Sequence, residues 1–189
     1  MPYALLIAAA VIWIIAAIKP VNRGAWLLEN ILLFVGVGWL AFTFKTWRLS
    51  DTSYELIFVY LVLHVIGAHY TYSRTPGGNF LGRIFGSNRN SYDRVVHFSF
   101  GLLLFYPWRE TALLSMGVSP AQGSLIAVLI IGAVSAIYEI VEWGAALIVN
   151  PPDAIDYIGA QGDFFDAQKD MACAFAGALI ALGGVELTK

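Results

Sequence analysis

Histidines and carboxylates recur in this chain inside stretches that are otherwise apolar. The three histidines lie in HVIGAH at 64–69 and DRVVH at 93–97, and carboxylates follow in EIVE at 139–142 and DFFDAQKD at 163–170. An ionisable side chain within a bilayer costs several kcal/mol, so a group of them indicates a functional site. Imidazole combined with carboxylate is the ligand set that suits Zn, Mn or Fe, whereas carboxylates alone suit Mg or Ca.

These residues predict a centre for a divalent metal ion, Zn, Mn or Fe, with acid–base groups beside it. The candidate metal ligands are His64, His69, His97, Glu142, Asp166 and Asp170. The candidate catalytic residues are Glu139, Glu142 and Asp93. The cations expected to hold an anionic head group are Arg74, Arg94 and Lys169. A metal ion at such a site would lower the pKa of a bound water to about 7 and would polarise a phosphoryl or acyl group.

Spacing along the helices favours part of this set more than the rest. Asp93 and His97 are four residues apart and therefore share a helix face, as do the carboxylates within EIVE and those at 166 and 170. His64 and His69 are five residues apart, about 140° around an ideal helix, so both cannot point into one centre without distortion. The chain has no dedicated metal motif such as His-Glu-x-x-His.

Packing or capping is the alternative explanation for each of these residues taken alone. A single histidine in an apolar helix is more often a hydrogen-bonded packing residue than a ligand. Acidic residues at predicted helix starts, such as Asp93 and Asp166, are favoured there by the helix dipole. Glu139 and Glu142 stand in the C-terminal half of a predicted helix, where the dipole disfavours them. These two residues therefore need a cation, a proton or an arginine partner.

The composition is that of a membrane protein. Apolar residues make up 59% of the 189 residues, and the mean hydropathy is +0.71; soluble proteins have about 45–50% apolar residues. The net charge is −2 and no run of basic residues stands out, which excludes nucleic acid as a partner. The single cysteine, Cys173, lies in an Ala/Gly-rich stretch and is expected to pack rather than to do redox chemistry.

These observations predict a single all-α domain over 1–189, a polytopic bundle of about six transmembrane helices. A crossing takes about 20 mostly apolar residues, and the predicted spans are 3–18, 25–44, 54–72, 93–116, 121–149 and 166–185. The first span lacks a basic leader and is expected to be a retained helix, not a signal peptide. Pro107 predicts a kink in the fourth span, and the segment 73–92 has the composition of a loop.

Six crossings would put most candidate residues near one face of the membrane. A helix rises about 1.5 Å per residue, so the distance of each residue from its helix end gives its depth below this face. By this measure the candidate residues form a shallow layer and a deeper tier, and the deeper tier includes His64 and Glu139. Glu29 and Asn30 begin the second span on this face, where they either join the network or only reach towards the surface. The Lys and Arg residues of this face are Lys19, Arg23, Arg74, Arg83, Arg89 and Arg94, against Lys45, Arg48, Arg109 and Lys189 on the other. We therefore expect the polar face in the cytoplasm.

Three motifs resemble a known family. They are YDRVVHF at 92–98, SAIYEIVEW at 135–143 and DAQKDM at 166–171. In this order they resemble the YjdF-like family of bacterial inner-membrane proteins, a domain family of unknown function, over nearly the whole chain. More distantly, Asp-x-x-x-His, then Glu, then Asp-x-x-x-Asp is similar to the VanZ-like membrane proteins linked to glycopeptide resistance. The resemblance implies a six-helix inner-membrane fold and no particular reaction.

Three functions remain open at this point. The first is a metal-dependent hydrolase or transferase that acts on a membrane lipid or lipid-linked substrate through the His/Asp/Glu site. The second is a proton- or ion-coupled transporter with Glu139, Glu142 and His64 as a relay, although the paired repeats and broken helices typical of transporters are not evident. The third is a membrane scaffold, in which the polar cluster only fixes helix packing. The sequence does not indicate an oligomeric state.

Overall fold

The computed structural model of this chain describes residues 2–84, 86 and 88–187. The regular structure in these residues is entirely α-helical, which confirms the predicted fold class. The helices are α1 Pro2–Ala16, α2 Arg23–Thr43, α3 Asp51–His69, α4 Gly78–Ile84, α5 Tyr92–Met116, α6 Pro120–Ala146, α7 Pro151–Ile158 and α8 Asp166–Leu187.

Three of these helices, α2, α3 and α6, are both long enough and apolar enough to cross a membrane. Helix α1 is apolar but has only 15 residues. Helices α5 and α8 have 25 and 22 residues, but charged residues lower their mean hydropathy. Length and composition therefore do not confirm the predicted count of about six crossings. Some of these charged residues, Asp93 and Arg94 on α5 and Asp166, Lys169 and Asp170 on α8, belong to the candidate site.

The helix starts follow local sequence signals. Asn22 and Ser50 cap α2 and α3 by accepting hydrogen bonds from backbone amides of the first turn. Ser119 caps α6 in the same way, and Pro120 follows as its first helical residue. Helix α5 ends at Gly117, whose φ of 63° lies in the left-handed region that favours glycine. The predicted spans accordingly match the observed helices to within a few residues.

Two of the connections between the predicted spans each contain a short helix. Helix α4 lies within the segment 73–92, and α7 lies between the predicted fifth and sixth spans. Asn150 caps α7, two prolines form its first turn, and Gly159 ends it with a φ of 62°. Proline, glycine and asparagine therefore begin and end short helices here, although the same composition is typical of loops.

Helix α5 is continuous through Pro107, where the sequence predicts a kink at the membrane surface. Pro107 is buried, and the two charged residues that follow it have partners within the protein. Arg109 donates from Nε to Ser124 Oγ over 3.0 Å, and Glu110 accepts from Ser50 and Ser53. Both charges therefore have partners inside the protein and do not need the membrane surface.

Close packing between α5 and α8 forms the centre of the bundle. Gly101 and Gly177 bring the two backbones so near that an added Cβ at either position would collide with a backbone carbonyl of the other helix. Small residues permit this approach in lipid, as the Ala/Gly-rich stretch predicts. The buried core beside this contact consists of Phe105, Ala127, Ile131, Ala174 and Ala178.

The ends of several helices meet on one face, which we call the loop face. The amide of Val21 donates to the carbonyl of His69 over 2.9 Å, which joins the start of α2 to the end of α3. Asp156 of α7 accepts from Asn22 over 2.9 Å and from Arg74 over 2.5 Å. The loop face therefore carries α4, α7 and the first turns of α5 and α8.

Candidate metal centre

Three side chains on α5 and α8 place ligand atoms close together. One atom each from Asp93, His97 and Asp170 lies within 4.8 Å of the other two. Asp93 and His97 share a face of α5 because they are four residues apart. Asp170 joins them because α8 packs closely on α5. Asp170 is only 2% exposed, so this group lies inside the helix bundle.

Glu139 of α6 supplies a fourth polar group. Its Oε1 lies 3.5 Å from His97 Nε2, and Asp93 Oδ1 lies 3.6 Å from the same nitrogen. Both distances exceed those of good hydrogen bonds. Oε1 of Glu139 and Oδ1 of Asp170 are buried and accept no hydrogen bond from the residues that the structure describes. Buried polar atoms are normally satisfied, so these two oxygens indicate a missing cation, water or proton.

A second layer of charges lies between this group and the loop face. Asp166 pairs with Arg89, and Arg94 donates to Asp163 over 2.5 Å and to Asp166 over 3.3 Å. Arg94 Nε also lies 3.8 Å from Asp170 Oδ1. Lys169 completes the layer with contacts of 2.7 and 2.8 Å to the two oxygens of Asp163. These ion pairs hold the start of α8 against the start of α5.

Negative charge exceeds positive charge in the two layers together. The carboxylates are Asp93, Glu139, Asp163, Asp166 and Asp170, and the cations are Arg89, Arg94 and Lys169. If all five acids are ionised and His97 is neutral, five acids against three bases leave an excess of two negative charges. Buried charges in proteins are paired, bind metals or are neutralised by protons, and one divalent cation or two protons would balance this excess.

Asp163, in the connection between α7 and α8, has a pKa far from its ordinary value. The hydrogen bonds from Lys169 and then from Arg94 lower the pKa of Asp163 well below its ordinary value. The carboxylate is therefore fixed in its charged form at neutral pH. It anchors both cations at the entrance to the cluster.

His64 occupies a deeper tier, apart from the metal ligands predicted with it. Its Nε2 lies 3.3 Å from the carbonyl oxygen of Glu29, and its Nδ1 lies 2.6 Å from the hydroxyl of Tyr72. Because a carbonyl only accepts, Nε2 carries the proton and Nδ1 accepts from Tyr72. Glu29 is itself buried and accepts from Tyr138 over 2.6 Å. Both nitrogens of His64 are thus engaged by protein groups.

His69 also lies away from the group. Its Nδ1 lies 2.8 Å from the carbonyl oxygen of Ala16 and must donate to it, which ties the end of α3 to the end of α1. The five-residue spacing from His64 directs the two rings to different neighbours. The sequence predicts three histidines among the ligands, whereas the structure brings only His97 into the group of close ligand atoms found among the described residues.

The remaining predicted residues surround this group without joining it. Glu142, one turn beyond Glu139 on α6, interacts electrostatically with Glu29 and with the cluster but is not among its close ligand atoms. Asp166, predicted as a ligand, pairs with arginines. Arg74 pairs with Asp156, so it holds α7 instead of facing the cluster.

Several polar residues of the site were not predicted from the sequence. Arg89 lies in a segment with loop composition, and Tyr72 and Tyr138 resemble the aromatic residues that lie at membrane interfaces. The useful signal for Tyr138 is its position next to Glu139, well inside an apolar helix. A cavity of about 40 Å³, lined by Asp93, His97, His64, Tyr72 and Tyr138 among others, joins the two tiers. It has room for water, which needs roughly 10–15 Å³.

Comparison with known proteins shows which family this chain belongs to. Residues 1–187 match the family described as "Predicted membrane protein (DUF2238)". The chain is 35% identical to the inner membrane protein YjdF of Escherichia coli (strain K12) over 169 residues, which is 89% of this chain and 80% of that protein. No solved structure matches the chain. The family and the relative support a location in the inner membrane. The predicted YjdF-like resemblance is therefore confirmed, and the chain belongs to the DUF2238 family of membrane proteins.

Proposed function

We propose that this protein is a membrane-embedded, metal-dependent enzyme that acts on a lipid or a lipid-linked substrate. The observation that carries the proposal is the group formed by Asp93, His97 and Asp170, whose ligand atoms lie within 4.8 Å of one another. One imidazole with two carboxylates suits Zn, Mn or Fe. The excess of two negative charges around the group adds electrostatic support for a divalent ion.

The residues around this group have the properties that hydrolysis or group transfer requires. When bound, a divalent ion would activate a water and polarise a phosphoryl or acyl group. Oε1 of Glu139 accepts no hydrogen bond and faces His97, so Glu139 is placed to accept a proton as a general base. Arg94 lies 3.8 Å from Asp170 through its Nε and is 21% exposed, so its guanidinium is the cation nearest to the centre that could hold an anionic head group.

We place this centre at the cytoplasmic side of the inner membrane. The loop face carries the larger number of Lys and Arg residues, which is the cytoplasmic bias. Lys169 and Arg74 have 48% and 54% of their side chains exposed on this face. Lys169 can therefore meet a head group that approaches from the membrane surface, whereas Arg74 is held by Asp156 away from the cluster.

A proton- or ion-coupled transporter is the second candidate, and one feature favours it. Polar side chains extend from the cavity at His64 across three helices. Tyr138 of α6 donates a hydrogen bond to Glu29 of α2, and the next residue, Asn30, accepts one from Trp13 of α1. Such buried chains of polar groups are typical of proton relays. Substrate-linked or proton flux into proteoliposomes that disappears in Glu29→Gln would favour this candidate over the enzyme.

The metal centre is tested by elemental analysis of the detergent-purified protein. We expect near-stoichiometric Zn, Mn or Fe in the wild type and its loss in His97→Ala and Asp170→Asn. His69→Ala is the matched control, since it removes an imidazole outside the group and should leave the metal content unchanged. Size-exclusion profiles establish that each variant is folded. Full retention of metal in both site variants would refute the proposal.

A further inference from the structure

An apolar slot lies between α2 and the helices α3, α5 and α6. Its volume is about 440 Å³, within the range of roughly 300–1,000 Å³ that small-molecule sites occupy. Helix α2 packs on α3 and α7, which leaves space between α2 and the core helices. Apart from a few polar groups at its ends, the wall consists of aliphatic and aromatic side chains.

Two contacts close the slot at its ends and leave it open between them. At one end the rings of Trp39 on α2 and Trp108 on α5 lie 5.3 Å apart. At the other end Tyr138 on α6 donates to Glu29 on α2. Between these contacts Val35 and Ile137 line the slot and remain 63% and 56% exposed. The mouth of the slot therefore faces the hydrocarbon of the membrane between α2 and α6.

The closed end beside Tyr138 leads to the metal centre. Tyr60, His64, Phe100 and Tyr138 line both the slot and the small cavity that contains Asp93 and His97. Phe100 lies one turn along α5 from His97, so the apolar space begins directly beside the candidate ligands. The apolar space, which opens to lipid, would suit the acyl chain of a lipid, and the charged groups at its end would suit the polar head group.

We propose that this slot binds one acyl chain of a bilayer phospholipid, which enters sideways from the membrane between α2 and α6. The slot extends from Phe100 to Thr111, about 16 Å along α5 at 1.5 Å per residue. This is about half of the 30 Å hydrocarbon thickness, which is the length available to the chains of one leaflet. With the chain in the slot, the ester and head group of the lipid lie against Asp93 and His97. Only this position of the head group rests on the proposed function; the acyl-chain site does not.

Photo-crosslinking in vesicles tests the slot. The protein is reconstituted in phosphatidylethanolamine and phosphatidylglycerol that contain a phosphatidylethanolamine with a diazirine in its acyl chain, and the adducts are mapped by mass spectrometry. We expect adducts on slot residues such as Leu40, Leu104 and Trp108. Adducts confined to outward residues such as Phe42 and Leu129, which are 86% and 58% exposed, would overturn the proposal.

Two neighbouring glycines provide a matched pair of variants. Gly36 lines the slot and Gly38 does not, and an added Cβ at either position meets no atom within 4 Å. Gly36→Phe should lower the slot adducts roughly tenfold, which corresponds to about 1.4 kcal/mol of binding free energy, whereas Gly38→Phe should leave them unchanged. Equal yields in the two variants would contradict the proposal. Gly36→Leu serves as a smaller filling variant if Gly36→Phe does not fold.

The metal content of the same samples separates this inference from the proposed enzyme. Gly36→Phe should lose the slot adducts and retain metal, while His97→Ala should lose metal and retain the adducts. Slot adducts in a protein without metal would leave the acyl-chain site standing and reject the enzyme. Metal without slot adducts would reject the acyl-chain site and leave the metal centre standing.

Discussion

Helix α5 carries a half-buried carboxylate, Asp93, in its first turn and a second one, Glu110, towards its other end, and the two have different surroundings. Glu110 accepts from the amide of Ser50 over 2.9 Å, from the Ser50 hydroxyl over 2.9 Å and from the Ser53 hydroxyl over 2.5 Å. At the other end of α5, the Asp93 cluster includes oxygens of Glu139 and Asp170 that accept no hydrogen bond.

This difference separates a structural carboxylate from a candidate ligand on the same helix. The donors around Glu110 leave no need for a cation, and they fix the start of α3 against α5. Helix packing holds the carboxylate oxygens of Glu139 and Asp170 near His97, where they lack hydrogen-bond donors among the described residues. A half-satisfied polar group is unfavourable unless something else completes it. In the proposed enzyme, a metal ion completes the group around His97.

The largest expected effect is on metal affinity. Asp170→Asn should weaken metal binding by more than about 100-fold, since even residues that only support metal ligands contribute 10–100-fold. Glu110→Gln should leave the affinity unchanged, because Glu110 lies at the other end of α5. Competition with a chelator of known affinity measures both variants. Equal losses in the two variants would contradict the distinction between the two ends.

The next effect concerns the helix contact that assembles the candidate site. Gly101→Ala forces a Cβ into the carbonyl of Ala174, so the free energy of unfolding should fall by about 1–3 kcal/mol or more. Metal affinity should fall with it, since Asp170 would move away from His97. In Gly183→Ala the added Cβ meets no atom within 4 Å, and both properties should be retained. Thermal unfolding in detergent and metal titration test the pair, and unchanged metal binding in Gly101→Ala would show that this contact does not set the site.

The structural carboxylate should affect stability alone. Glu110→Ala leaves the donors of Ser50 and Ser53 without an acceptor, at a cost of about 1–3 kcal/mol. The metal content should stay that of the wild type. Thermal unfolding and elemental analysis of one preparation measure both. Loss of metal together with stability would mean that the two ends of α5 are coupled.

The smallest effect is the pH dependence of the ion pairs above the cluster. Lys169 and Arg94 lower the pKa of Asp163 below its ordinary value of 3.8, so its stabilising charge is present above that pH and is lost as the pH falls. The melting temperature of the wild type should therefore fall more between about pH 5 and pH 3 than that of Asp163→Asn. Parallel curves for the two proteins would argue against this role.

The sequence predicts the helices and one pair of site residues well, because both depend on local spacing. The i,i+4 relation is enough to place Asp93 beside His97. The addition of Asp170 depends on the contact between α5 and α8, which the sequence indicates only through a stretch of small residues. Which way a histidine points depends on neighbours from other helices. His64 and His69 therefore could not be separated from His97 by residue type.

The residues missed by the sequence analysis lie where composition is ambiguous. Arg89 belongs to a segment rich in Gly, Pro and Asn, and its partner Asp166 is 77 residues away along the chain. Tyr138 could be a packing residue by its type, and its bond to Glu29 of α2 shows that it is part of the polar network. Helix α7 is eight residues long and begins with two prolines, which by composition indicate a loop.

X-ray absorption spectroscopy of the Zn-loaded protein tests the central claim most directly. The proposed site predicts one imidazole nitrogen at about 2.0–2.1 Å with the remaining ligands oxygen at about 2.0–2.2 Å. His97→Ala should remove the imidazole signal, and His69→Ala should preserve it. A spectrum with two or three imidazoles, or with a sulfur ligand, would contradict a centre built from Asp93, His97 and Asp170.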